Sequence, residues 1–191
     1  MKKKLLKIGF IVYFIFLFSY SISMANEEAE YKVLHENDTY EVRYYSDRLV
    51  VQIVKTSENK SFRQLFSYIS GENNNAKKIE MTVPVTQTKK DNKLFMQFFL
   101  PSIFTKETAP IPNNPDIEIN TIEEGYFAVI RYSGRVTDKN FEKHVQILEK
   151  KLLEDKILII GSPIRATYNR PFTLPSSRRN EVMLNVSWKK S

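Results

Sequence analysis

Two histidines, no cysteine and a wealth of tyrosine, phenylalanine and arginine set the chemistry open to this chain. Serine-type hydrolysis needs a histidine beside its nucleophile. His35 lies in a polar stretch. His144 lies beside Phe141, Val145 and Leu148, at the edge of an apolar helix face, where a histidine is first a packing residue and only second a ligand or base. The lack of cysteine removes thiol nucleophiles, Cys-ligated zinc, iron–sulfur clusters and covalent haem attachment. No H-E-x-x-H or phosphate-loop spacing occurs. The acidic pairs Glu27/Glu28 and Glu123/Glu124 are sequence neighbours. On a strand such neighbours face opposite ways and make poor acid–base partners.

The aromatic and basic residues point elsewhere. The chain has 10 Tyr and 13 Phe, six of which fall in its first 25 residues. Tyrosines recur along one early strand, and Arg178-Arg179 precedes the last one. An apolar slot edged by Arg or Lys suits a flat hydrophobic dianion, because the slot takes the ring and the cations take the carboxylates. The plainer reading of the same composition is that these residues build and rim a core.

The formal charge of +7 overstates the basicity. Lys2, Lys3, Lys4 and Lys7 precede the apolar run 8–18, and "SMA" closes at Ala25. A charged start, an apolar middle and a small-x-small site predict a secretory signal peptide over residues 1–25, the alternative being an uncleaved membrane anchor, for which the apolar run is short. The 166 residues that follow carry a formal charge of +3 and no basic run with interleaved aromatics, so nucleic acid is not an expected partner. Export, to a periplasm or the exterior, is the expected localisation, with membrane contact only through the signal. Without disulfides, 166 residues suffice to bury a core as one domain.

Residues 26–38 read as a polar lead-in to a single domain over 39–191. "TYEVRYY" (39–45) and "RLVVQIVK" (48–55) are strand-like, and "SDR" between them predicts a hairpin. Phe62, Leu65, Phe66 and Ile69 follow helical spacing, with Ser57 or Asn59 as cap and Gly71 at the C-terminal stop. "IEMTVPVTQT" (79–88) alternates like a strand although Pro84 interrupts it, and "KKDN" turns it into "KLFMQFFL" (93–100). "TAPIPNNPD" (108–116) is a stiff connector. The order then repeats: "DIEINTI" (116–122), "YFAVIRY" (126–132), a helix opened by Thr137 and Asp138, "PIRATY" (163–168) and "EVMLNVSW" (181–188). Eight strands and two helices make an α+β protein of two ββαββ halves. Strands apolar on both faces, such as "YFAVIRY", need cover on both sides.

Three motifs carry a family resemblance. They are "FRQLFSYISGENNNAKKIEMTVPVTQT" (62–88), "FFLPSIFTKETAPIPNNPDIEI" (98–119) and "PFTLPSSRRNEVMLNV" (171–186). They resemble the SOUL haem-binding protein family, and the resemblance covers about residues 38–188. It implies a distorted eight-stranded antiparallel β-barrel with two helices, in which Pro84 sits at a bend or bulge. It also implies reversible, non-covalent binding of haem or another tetrapyrrole. Some members carry a proposed axial histidine where this chain has Tyr44, and a tyrosine can ligate ferric haem as the phenolate. The resemblance makes Tyr44 a possible metal ligand. The expected apolar contacts are Phe62, Leu65, Phe66, Met81 and Phe172, and the expected propionate partners are Arg63, Lys77, Lys78, Arg178 and Arg179. For the two late arginines the alternative is that they fix the last strand to its neighbour. The alternative functions are a tetrapyrrole-modifying enzyme using Tyr44, His144 and Glu80, and an interaction module docking through its barrel face or the 108–116 connector.

Overall fold

A computed structural model describes residues 26–189. The expected signal peptide lies outside the described residues. The eight expected strands are all present. They are β3 (Glu41–Tyr45), β4 (Arg48–Val54), β6 (Val85–Lys90), β7 (Lys93–Phe99), β8 (Ile117–Ile122), β9 (Gly125–Tyr132), β11 (Ile164–Thr167) and β12 (Asn180–Ser187). Short strands β1 (Glu27–Glu28), β2 (Lys32–Glu36), β5 (Thr82–Val83) and β10 (Leu158–Ile159) add to them. Two of these, β1 and β2, come from the polar lead-in. The helices are α1 (Glu58–Ile69) and α2 (Asp138–Glu154).

The main sheet runs β2-β3-β9-β12-β11-β6-β7-β4-β8, with β10 against β12. Every pairing in it is antiparallel. It curls into a half-barrel whose edges are β2 and β8, so the class and the two-half pattern are those expected. The order reveals how the halves interlock. The third strands, β6 and β11, meet at the centre. Outward from this seam each half continues with its fourth strand and then its second. The first strand of each half then pairs with the second strand of the other: β3 with β9, and β8 with β4.

This corrects the expected β3–β4 hairpin. A two-residue hairpin needs positive φ at its centre, usually through glycine. Ser46-Asp47 supplies neither, whereas Asp91 and Asn92 have φ of 50° and 60° and close the β6–β7 hairpin. The Ser46-Asp47 link passes the chain from one half to the other.

Pro84 is also placed differently from a bulge. β5 ends at Val83 on its ladder with β1, and β6 begins at Val85 on its ladders with β7 and β11. Pro84 stands in the gap, after a cis Val83–Pro84 peptide, where no ladder bond needs its missing N–H.

Both helices lie on one face of the sheet. Leu65, Tyr68 and Ile69 of α1 pack on Val51, Ile53, Met96 and Phe98. Leu148 and Leu152 of α2 pack on Val42, Ala128, Ile130, Val182 and Leu184. The caps are those the sequence names: Ser57 accepts from the Lys60 N–H and Thr137 from the Asn140 N–H. Gly71 has φ +120°, and the bonds Gly71 N–H to Tyr68 O and Glu72 N–H to Ser67 O form a Schellman stop. The opposite, concave face holds Phe127, Val129, Ala166 and Met183 with Tyr45, covered by Ala29 and Tyr31 of the N-terminal segment.

Candidate functional site

The helical spacing of α1 marks a stripe wider than the face it buries. Ser61, Leu65, Tyr68 and Ile69 are the buried positions. Tyr68 fixes this rotation by donating its hydroxyl to the Pro110 carbonyl at 2.8 Å. Phe62 and Phe66, one turn apart at the edge of the stripe, stay 38% and 48% exposed. Their rings lie 6.1 Å apart and within 12° of parallel, and Phe62 meets Phe98 edge-on at 5.1 Å. Arg63 is exposed between them in sequence.

The loop after α1 is anchored by Asn73, whose side chain bonds the Tyr68 and Lys77 carbonyls and the Asn75 and Lys77 N–H groups. Lys77 and Lys78 leave this loop exposed, Lys77 with its ammonium 4.8 Å from the Phe104 ring centroid. Among the described residues, Arg63, Lys77 and Lys78 make no ion pair. The α1 side therefore offers two parallel exposed rings and three cations that make no ion pair among the described residues. Leu65 is wholly buried beneath them, and Met81 packs against the same core cluster.

The other expected contacts lie elsewhere. Phe172 is 99% exposed, in the loop between β11 and β12. Arg178 donates to the Pro171 and Thr173 carbonyls of that loop. Arg179 binds Glu28 in a two-pronged pair, reaches Glu181 at 2.9 Å and lies over the Tyr168 ring at 3.7 Å. None of these contacts involves α1. Arg179 thus ties the start of the last strand to Glu28 of the N-terminal segment and to Tyr168.

Tyr44 shares its sheet face with Tyr40 and Val42, the face that α2 covers, and stacks at a tilt on Tyr126 at 5.5 Å. Its hydroxyl donates to Glu124, and that bond raises its pKa above the ordinary phenol value. His144 stacks on Tyr132 at 4.0 Å, with Nδ1 2.7 Å from the Asn140 carbonyl oxygen. That is the packing role its helix position suggests. Glu80 is exposed. His35 lies on exposed β2 between Tyr40 and Trp188. Among the described residues no group of three or more His, Asp or Glu could hold a metal ion.

The family model for the SOUL heme-binding protein matches residues 26–185. The chain belongs to the SOUL heme-binding family. The match takes in the lead-in strands, the first two motifs and all but the last residue of the third. A comparison with curated proteins finds no match.

Solved structures share the fold at low identity. The C-terminal domain of EcmrR is 12% identical with a TM-score of 0.57, over 82% of this chain and 98% of that one. A hydrolase from Listeria innocua is 14% identical with a TM-score of 0.56, over 81% and 94%. A bacterial protein from Staphylococcus aureus MU50 is 11% identical with a TM-score of 0.50, over 78% and 98%. These likenesses establish the fold alone.

Two residues of this SOUL protein have no place in the sequence-based site. Glu181 is wholly buried on the concave face and accepts from Arg43, Tyr168 and Arg179. Arg48 opens β4 and lies over the rings of Tyr45, Phe99 and Phe127 at 4.1, 5.2 and 5.2 Å. Neither has a sequence signal. Both follow from which strands adjoin, and the crossover at Ser46-Asp47 sets that.

Proposed function

We propose that this SOUL protein binds haem, or a related tetrapyrrole, non-covalently and reversibly on the exposed face of α1. The observation that carries the reading is the parallel Phe62/Phe66 pair, exposed on a helix whose other side is core. Haem supplies a flat apolar face and two carboxylates. The two phenylalanines remove apolar area from water against that face, at about 25 cal/mol per Å². Arg63, Lys77 and Lys78 neutralise the carboxylates from the rim, as mobile cations on exposed side chains. The donor set fits a stacked and charge-held ligand. Tyr44, as an axial ligand, would first have to give up its bond to Glu124.

The protein is further proposed to be exported, with cleavage near Ala25. Support comes from the charged, apolar and small-x-small order of residues 1–25. No helix among the described residues is long and apolar enough to cross a membrane.

A hemin titration of the purified protein, followed in the Soret region, tests the reading. Saturation at one equivalent is expected. A broad band that rises without saturating would overturn it.

A further inference from the structure

Arg48 is a cation without a counter-ion. Among the described residues its guanidinium has no hydrogen-bond or ion-pair partner, and its Nε is the one buried side-chain nitrogen or oxygen atom there left unsatisfied. Buried groups of this kind are normally hydrogen-bonded. Three aromatic rings hold the guanidinium in place, and burial lowers its pKa to about 10. A guanidinium donates through five N–H groups in a fixed fork that matches a carboxylate.

Arg48 lines a cavity of about 470 Å³ where β1 crosses the ends of β4 and β7. Small-molecule pockets span about 300–1,000 Å³. Leu49, Phe99, Leu100 and Phe104 provide its apolar wall, and Arg48 is the only cation among its lining residues. Glu27, Glu28, Glu30 and Asp47 form an acidic rim. Three of these acids are engaged: Glu27 with the Ser102 N–H, Glu28 with Arg179, and Asp47 with the Glu124 N–H. None of the four lies within ion-pair distance of Arg48.

We propose that this cavity is a second ligand site, separate from the α1 face, that takes an amphiphilic monocarboxylate with its carboxylate on Arg48 and its apolar body on Phe99 and Leu100. The acidic rim restricts the ligand to a single negative charge, because a second carboxylate at the mouth would meet Glu27, Glu30 and Asp47. The selectivity is thus for acyl chains or aromatic acids bearing one carboxylate over dicarboxylates, and Arg48 sets a carboxylate rather than an ammonium at its own end of the cavity.

Calorimetry of the purified protein with octanoate tests this, alongside octanol, octylamine and the equal-length dicarboxylate octanedioate. Octanoate is expected to bind at least about tenfold more tightly than each of the other three, the scale of one charge-assisted hydrogen bond. Arg48→Gln is expected to remove that preference. The comparison among ligands on the unaltered protein stands even if the variant fails to fold. Equal binding of octanoate and octanol, or preference for octylamine, would overturn the proposal. Displacement of octanoate by one equivalent of hemin would overturn the separateness of the site. Octanoate binding itself does not depend on haem binding, so either reading can fail alone.

Discussion

The Arg43 guanidinium meets the Glu181 carboxylate at 3.0 Å in an interior closed to solvent, linking β3 to β12 over the intervening β9. Arg43 also donates to Glu41, and Tyr168 and Arg179 also donate to Glu181. Neutral-pH ionisation of this cluster is secure on the cation side. The negative charge of Glu181 and the bonds to Tyr45 and Glu41 outweigh burial and hold the Arg43 pKa above its ordinary value. Removing one partner of such a pair leaves a buried charge alone, which costs about 3–5 kcal/mol. Glu181→Ala is therefore expected to lower the unfolding free energy in urea by that amount. Glu154→Ala, which breaks the exposed Lys151–Glu154 pair, should change it by about 1 kcal/mol or less.

The Tyr44 hydroxyl is committed to Glu124. Tyr44→Phe is expected to leave the fold intact and the ferric haem spectrum unchanged. A shifted Soret or charge-transfer band in that variant would show that the phenol reaches iron.

On α1, Phe66→Ala removes half-exposed ring area and Arg63→Glu reverses a rim charge. Each is expected to weaken hemin binding by about tenfold, and neither should lower stability by more than about 1 kcal/mol, since both side chains face water. Leu65→Ala, one position from Phe66, should instead destabilise by about 2–5 kcal/mol, because Leu65 is wholly buried. Circular dichroism melts and hemin titrations on the same samples separate the two effects.

Much of this arrangement is legible in the sequence, and the boundary is physical. Ser57, Thr137 and Gly71 announce the helix ends because capping is local chemistry. The ββαββ repeat is legible because alternation and helical spacing are local too. Strand partners are not. Nothing in "SDR" states that β3 leaves for β9 while β4 goes to β7 and β8, so the environments of Arg48 and Glu181 could not be read. The exposure of Phe62 and Phe66 was hidden for a related reason. Spacing marks an apolar stripe on α1, but the distant Pro110 carbonyl, by holding Tyr68, decides which edge of it is buried.

Alkaline titration offers a test of the core. Burial is the first cause that pushes Tyr45 and Tyr68 up to about 12. Tyr168 is raised further, by burial and then by the adjacent Glu181 charge. An unfolded phenol ionises near about 10. Since the folded values are raised, the stability these groups contribute is complete below about pH 10 and is lost as pH rises through the folded values. The tyrosinate absorbance of the native protein should rise in two stages, exposed phenols first. The second stage should coincide with loss of the far-ultraviolet helical signal.

Gly71→Ala places a side chain at φ +120°. The space is adequate, since a Cβ would meet the Ala76 carbonyl oxygen at 3.5 Å, so the penalty is conformational. About 1–3 kcal/mol of destabilisation is expected by denaturant unfolding. It should be accompanied by faster amide exchange at Glu72, whose N–H closes the Schellman stop.

The exchange of first strands gives the chain the geometry of a swapped dimer fused into one polypeptide. Neither half is complete alone, since β4 needs a strand in the place of β8 and β9 needs one in the place of β3. Two copies of the first half would have that missing strand in each other's β3, and their β6 edges would meet at the seam. The segment between β7 and β8, which includes the 108–116 connector, is on this view a tether that sets local concentration. Cutting it would turn one cooperative unit into two complementing fragments.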